Sequence, residues 1–312
     1  MVSAEERIPV SIIGGFLGAG KTTLVNHLVR SGAHRFGIIV NEFGETSIDG
    51  SLIENVDTDG IAELANGCLC CVGREDLTSA LFKLIARKDR PEYILIELSG
   101  LADPVPVAQT ILDPFARSRF ALDGIIAVAD ARHLERTLQN SPEGAVQLAY
   151  ASVVVLNKTD LVSPTQRAEA EGLIQKLNPL SQIYPAVQAN VAPQALLHQR
   201  ASTPDWQPQP HPHRHTPHLT SFTLRAERPL ERQKVNAFID HYLIARPDAV
   251  LRAKGFLSVK GFEKQVIFQS VREIFSLELS RHPPTAPSHL VVIGRGLDAQ
   301  EYQEAFQALQ AL

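Results

Sequence analysis

The stretch that most constrains this chain is GGFLGAGKTT, Gly14 to Thr23, which follows directly on the apolar run Val10–Ile13. From Gly15 to Thr22 it fits the pattern G-x-x-x-x-G-K-[ST]. The glycines let successive backbone N–H groups turn inward around an anion, and the helix that follows presents its N-terminus to the same point. Gly15, Phe16, Leu17, Gly18, Ala19, Gly20, Lys21, Thr22 and Thr23 are therefore candidate phosphate ligands. Lys21 is expected to reach the β- and γ-phosphates of a nucleotide, and the Thr22 hydroxyl to ligate Mg2+.

The rest of the first two thirds supports that setting. Apolar, β-branched runs at Val10–Ile13, Phe36–Val40, Tyr93–Glu97, Gly124–Ala129 and Ser152–Leu156 read as buried strands. Helical patterns separate them over Thr22–Arg30, Asp76–Arg87, Pro104–Leu112 and Pro164–Leu177. Such alternation predicts an α/β fold, a P-loop NTPase parallel sheet with helices on both faces. Ile53–Leu64 is ambiguous and reads as a small hairpin insertion. The composition then shifts: TPDWQPQPHPHRHTPH, Thr203 to His218, holds five prolines and four histidines and reads as an extended, mobile linker. Beyond it come strands near Leu219–Leu224, Val250–Val259, Lys264–Gln269, Ile274–Leu279 and Leu290–Gly294, with helices near Leu230–Ala245 and Asp298–Leu309. The expected organisation is a nucleotide-binding domain over 1–200, a Pro/His-rich linker over 201–218 and a smaller α+β domain over 219–312.

Charge and apolar patterning exclude some classes. With 30 basic against 34 acidic residues, no polycationic surface argues for nucleic acid. No apolar stretch approaches a membrane span, and the acidic N-terminus does not resemble a secretory signal. A cytoplasmic location is the expectation.

Two further motifs refine the nucleotide reading. SVVVLNKTD ends in Asn157-Lys158-Thr159-Asp160, at the end of a predicted strand. In P-loop GTPases an N-K-x-D there reads guanine: the aspartate accepts from N1–H and the exocyclic amine, and the lysine stem packs over the base. Asn157, Lys158 and Asp160 are the candidate base-binding residues. Tyr93–Pro104, YILIELSGLADP, places Glu97 where a strand-end acid would hold Mg2+, and Gly100 where an N–H would sense the γ-phosphate. Leu101 follows the glycine where an amide could orient the attacking water; leucine cannot. Lys21, Glu97 and Gly100 are thus the candidate catalytic residues, with hydrolysis expected below about one turnover per second.

The chain's three cysteines, Cys68, Cys70 and Cys71, fall in NGCLCC. An odd cluster this tight is no disulfide framework and reads as metal-binding or redox chemistry. Thiolates suit Zn2+, Cu+ and, less strongly, Co2+. A tetrahedral site needs four ligands, so Glu42 or Glu45 of NEFGETSIDG, a histidine, water or a second chain would complete it. NEFGE stands where a P-loop GTPase keeps its first switch. His211, His213, His215 and His218 could gather a metal weakly or simply keep a linker polar.

Taken in order, GGFLGAGKTT, NEFGE, NGCLCC, ELSGLADP and NKTD resemble the CobW family of P-loop GTPases, and the downstream LRAKGF, VIFQSV and VVIG runs resemble that family's C-terminal domain. The likeness covers nearly the whole chain outside the Pro/His segment. It implies GTP hydrolysis to GDP, Zn2+ or Co2+ binding at the CxCC, and delivery to a client metalloprotein or metal-cofactor pathway. It implies a nucleotide role for Gly15–Thr23, Asn157 and Asp160, a metal role for Cys68, Cys70 and Cys71, and a ligand role for Glu42. A nucleotide- or metal-dependent homo-oligomer is compatible with it. One departure is Leu98, where the family usually has a small polar residue.

Overall fold

The computed structural model describes residues 7–40, 61–63, 74–100, 102–198, 214–216, 219–280, 283–284 and 287–311. The chain divides into two compact units, one of residues 1–172 and 181–204, the other of 173–180 and 205–312. Among the described residues no helix is long and apolar enough to cross a membrane.

The first unit is built on a seven-stranded sheet. Its strands are β1 (Ile8–Gly15), β2 (Phe36–Val40), β3 (Ile61–Glu63), β4 (Tyr93–Glu97), β5 (Phe120–Asp130), β6 (Val153–Asn157) and β7 (Gln182–Pro185), in the order β3-β2-β4-β1-β5-β6-β7. All neighbours pair in parallel. The helices are α1 (Lys21–Arg30), α2 (Arg74–Ile85), α3 (Val105–Leu112), α4 (Leu134–Asn140), α5 (Pro142–Tyr150), α6 (Pro164–Leu177), whose residues from 173 on fall in the second unit, and the short α7 (Pro193–Leu196). The sheet is apolar because both faces are covered: every residue of β4 and β6 is buried. On one face Leu24, Val25 and Leu28 of α1 pack with Ile13, Val40, Leu95, Val128 and Val155. Each such burial stabilises the unit by about 1.5–3 kcal/mol.

From β1 the chain runs first to one side of the sheet, then returns through β4 and continues on the other side. The carboxyl end of β1 is thus where the topology opens a crevice, the usual place for a ligand in such sheets.

Sequence and structure differ at several elements. Ile61–Glu63, within the segment read as a hairpin insertion, pairs in parallel with β2, Ile38↔Ile61 and Val40↔Glu63, while the rest of that segment lies outside the described residues. The edge strand β7 and the helices α4 and α5 have no counterpart in the sequence reading. α5 begins at Pro142, with the Ser141 hydroxyl accepting from Gly144 N–H at 3.1 Å.

The second unit carries a six-stranded sheet of β8 (Arg214–Thr216), β9 (Leu219–Ala226), β10 (Val250–Leu257), β11 (Val266–Val271), β12 (Ile274–Leu279) and β13 (Ser288–Gly294), in the order β12-β11-β10-β13-β9-β8. All its neighbours are antiparallel. Alternate residues Phe222 and Leu224 of β9, Val266 and Phe268 of β11, and Leu290 and Val292 of β13 build one buried cluster. It includes Val235 and Phe238 of α8 (Arg232–Phe238) and Tyr302 and Phe306 of α9 (Ala299–Gln307). α8 continues as a π-helical turn over Ile239–Ile244, within the single helix expected from sequence. Arg214–Thr216, inside the segment read as a linker, pairs with β9 instead of remaining unstructured.

Candidate functional site

The loop between β1 and α1 has the backbone its glycines allow. Gly15, Gly18 and Gly20 stand at φ 135, 73 and 109, where a side chain would be strained. At Gly20, the N-cap of α1, a Cβ would also run into the Asn157 amide. Lys21 is buried within the loop, its Nζ donating to Phe16 O at 3.2 Å. Among the described residues, Leu17 stands out as a large apolar side chain left 80% exposed.

Thr22 and Glu97 meet although 75 positions separate them: Thr22 Oγ1 donates to Glu97 Oε1 at 2.7 Å. Glu97 ends β4 beside β1, and its carboxylate is buried. A hydroxyl and a carboxylate converging at a phosphate loop are the hard oxygen donors that Mg2+ takes, so the residues present fit that ion. Gly100 lies against the loop. A Cβ there would come within 2.8 Å of Leu17 N and 3.0 Å of Leu17 Cα, so only glycine lets this segment approach so closely.

Asn157 is buried and acts as a strut. Its Nδ2 donates to Ala19 O at 2.9 Å, and its Oδ1 accepts from Ala189 N–H at 2.8 Å. It therefore ties the phosphate loop to the segment after β7, where Gln188 and Ala189 both hold positive φ, 51 and 54. Non-glycine residues held there mark a backbone the surroundings over-determine. Lys158 also has positive φ, 62, and its Nζ sits 2.7 Å from Asp130 Oδ2 at the end of β5. Burial acts to raise the Asp130 carboxyl, but hydrogen bonds from Lys158 and His133 and the Lys158 charge outweigh it and hold Asp130 below the usual carboxylate range. Asp160 is exposed beyond this strut.

Sequence reasoning missed Gln147 of α5. Its side chain is buried; Oε1 accepts from Gly15 N–H at 2.9 Å, while Nε2 donates to Ala102 O at 2.8 Å and, more weakly, to Gly100 O at 3.4 Å. One amide thus joins the phosphate loop to the segment that follows Glu97. Nothing in the sequence could have marked it, since Gly15 lies 132 positions away. Beside it is a cavity of about 500 Å³ lined by Phe16, Asp130, His133, Arg136 and Ser141. Replacing Gln147 by leucine removes one acceptor and one donor from buried backbone groups, at about 1–3 kcal/mol for each group left unsatisfied. We expect Gln147→Leu to lower stability in urea by about 2–4 kcal/mol and to weaken GTPγS binding more than GDP binding. Unchanged affinities for both nucleotides would show that the bridge is only structural.

Cys68, Cys70, Cys71, Glu42, Glu45 and Leu101 lie outside the described residues, as do His211, His213 and His218. The described strand ends nevertheless fix where the segments bearing the first five begin. Val40 pairs with Glu63 on one side and Glu97 on the other, so these three residues lie in one row across β3, β2 and β4. Neighbouring strands are about 4.8 Å apart. The chain leaves that row toward NEFGE at Val40, next to the strand whose Glu97 carboxylate accepts from Thr22, and toward NGCLCC at Glu63, one strand further out.

The order of these features along the chain is also that of a known family. A family model described as "CobW/HypB/UreG, nucleotide-binding domain" matches residues 9–185, and one described as "Cobalamin synthesis protein cobW C-terminal domain" matches residues 219–310. The chain belongs to the CobW/HypB/UreG family. Among its relatives is the zinc chaperone YjiA of Escherichia coli, 29% identical over 317 residues covering 97% of this chain and 99% of the relative. A zinc-regulated GTPase metalloprotein activator 1 of Schizosaccharomyces pombe is 36% identical over 189 residues, covering 58% of this chain and 46% of the relative. The crystal structure of Zn(II)-bound YjiA GTPase from E. coli superposes with a TM-score of 0.75 at 26% identity, covering 98% of this chain and 99% of that one. The CobW-type resemblance read from the motifs is thereby established, as is the P-loop fold.

Proposed function

We propose that this protein is a GTP-hydrolysing metallochaperone that binds Zn2+ or Co2+ at Cys68, Cys70 and Cys71 and couples release of the ion to nucleotide state. The observation that carries the reading is the row Glu63–Val40–Glu97, from which the thiol segment, the first-switch segment and the Mg2+ carboxylate all depart. Relatives named as a zinc chaperone and a zinc-regulated GTPase support it.

In this reading Gly15–Thr23 enclose the β- and γ-phosphates, and Lys21 exchanges its contact with Phe16 O for phosphate oxygens. Thr22 and Glu97 hold Mg2+, which when bound neutralises charge on the β- and γ-phosphates. Gly100 presents its N–H toward the γ-phosphate while Gln147 holds its carbonyl. Asp160 reads the guanine N1–H and amine, Lys158 covers the base, and Asn157 holds the phosphate loop against Ala189. Glu42 or Glu45, carried by the first switch, completes the thiolate site when GTP orders that segment. Hydrolysis then withdraws a ligand and releases the ion to a client metalloprotein or metal-cofactor pathway. Unassisted turnover is slow, because no amide side chain follows Gly100.

The cysteine assignment has its own test. Cys70→Ala is expected to weaken Zn2+ binding at least tenfold, measured by chelator competition, while GDP affinity stays within twofold of the parent. Collapse of GDP binding in this variant would make the cysteines structural instead.

A further inference from the structure

At the other end of the parallel sheet from the phosphate loop, His34 precedes β2 and His198 follows α7. Their Nε2 atoms lie 3.1 Å apart, one imidazole donating to the other. We propose that His34 and His198 form a second metal site, one that takes an exchangeable borderline divalent ion such as Zn2+ between the two Nε2 atoms.

The geometry suits the ion. Tetrahedral Zn2+ with Zn–N bonds of about 2.0–2.1 Å requires its two imidazole nitrogens about 3.3 Å apart. The ion can therefore take the place of the shared proton while the Nε2–Nε2 separation changes by only a few tenths of an ångström, the donating ring shifting that proton to its Nδ1 so that both imidazoles stay neutral. The rings are also held in place before any ion arrives. His34 stacks on Tyr93 at 5.6 Å and 23°, and meets Phe36 edge-on at 5.8 Å. His198 meets the same Tyr93 edge-on at 5.5 Å. Tyr93 is itself fixed: its hydroxyl donates to Asp123 and accepts from Ser11 Oγ at 2.7 Å. Ligands already ordered lose little freedom on binding.

The electrostatics agree with a ligand role. Burial first, and then the neighbouring His198, push His34 below the ordinary imidazole range, with Glu92 acting weakly against them. A neutral imidazole is the form that binds a metal. The Glu92 carboxylate beside His34 accepts from Arg35 N–H at 3.0 Å and is paired with the Arg35 guanidinium at 3.3 Å. His198 holds φ 59, a left-handed backbone that a β-carbon makes costly and that asparagine tolerates better. Among the described residues no three donor side chains converge, so with two protein ligands the ion would remain exchangeable. That distinguishes this site from the thiolates: it would hold Zn2+ more weakly and independently of nucleotide.

The test uses the full chain with Cys68, Cys70 and Cys71 replaced by serine, and His211, His213, His215 and His218 replaced by serine, so that the candidate thiolate and linker-imidazole donors are gone. Equilibrium dialysis against Zn2+ is expected to retain one equivalent. His198→Asn, which preserves the left-handed turn, and His34→Gln should each weaken that equivalent at least tenfold, with GDP binding unchanged as the check on folding. In the same background with both histidines intact, Zn2+ should shift the ring-nitrogen resonances of His34 and His198 together. No retained equivalent, retention unaffected by both substitutions, or ring resonances that do not move would each overturn the site.

Discussion

Asp160→Asn is expected to lower affinity for GTP and GDP by at least two orders of magnitude and to create measurable affinity for xanthosine diphosphate. In the proposed reading the aspartate accepts two hydrogen bonds from guanine, and bonds to a charged group contribute about 1.5–3 kcal/mol each. Asparagine cannot accept from both N1–H and the amine, but its amide can donate to the 2-carbonyl of xanthine. Asp160 is exposed at the end of the β6 turn, so the substitution should leave the fold intact. Calorimetric titration with the two diphosphates reads the exchange directly. GDP binding as tight as in the parent would place the base elsewhere on the molecule.

The second large effect is expected at Glu97. Glu97→Gln keeps the size of the side chain and can still accept from Thr22 Oγ1, so it removes charge and little else. Loss of one preorganised charge at a phosphoryl-transfer site is expected to cost about 10²–10³ in turnover. Single-turnover GTP hydrolysis, followed across a Mg2+ titration, should show that loss together with a higher Mg2+ requirement. A parent-like rate at every Mg2+ concentration would remove Glu97 from the Mg2+ site and leave it a buried strand end.

The parts of the fold that could be read from sequence are those written locally. GGFLGAGKTT carries its own backbone geometry, and the five long apolar runs each became a buried strand. β3 and β7 were illegible for a physical reason. Three residues, Ile-Ala-Glu, show no periodicity, and Gln182–Pro185 ends in a proline that only an edge position accommodates. The candidate site divides in the same way. Lys21, Thr22 and Glu97 could be nominated from motifs, because each motif fixes a local shape. The N-K-x-D motif marks Asn157 for the base; that its side chain also donates to Ala19 O is a tertiary contact the motif does not encode. Gln147 carries no local signature, since its partners come from two distant segments. The row Glu63–Val40–Glu97 is likewise a fact of strand order, which sequence periodicity does not encode.

That row makes the central claim a thermodynamic one. If the γ-phosphate orders the segment after Val40, and that segment supplies a metal ligand, the two sites share a coupling free energy. GTP and metal must then tighten one another by the same factor. A tenfold factor corresponds to about 1.4 kcal/mol, within what one ligand moving in or out can supply. The decisive measurement is a Zn2+ titration of the intact protein under a competing chelator, performed once with Mg2+–GTPγS and once with Mg2+–GDP. Binding at least tenfold tighter with the GTP analogue is the expected result and makes the phosphate loop and the thiol segment one switch. Equal affinities in the two nucleotide states would contradict it and leave a zinc-binding module in which the nucleotide is structural.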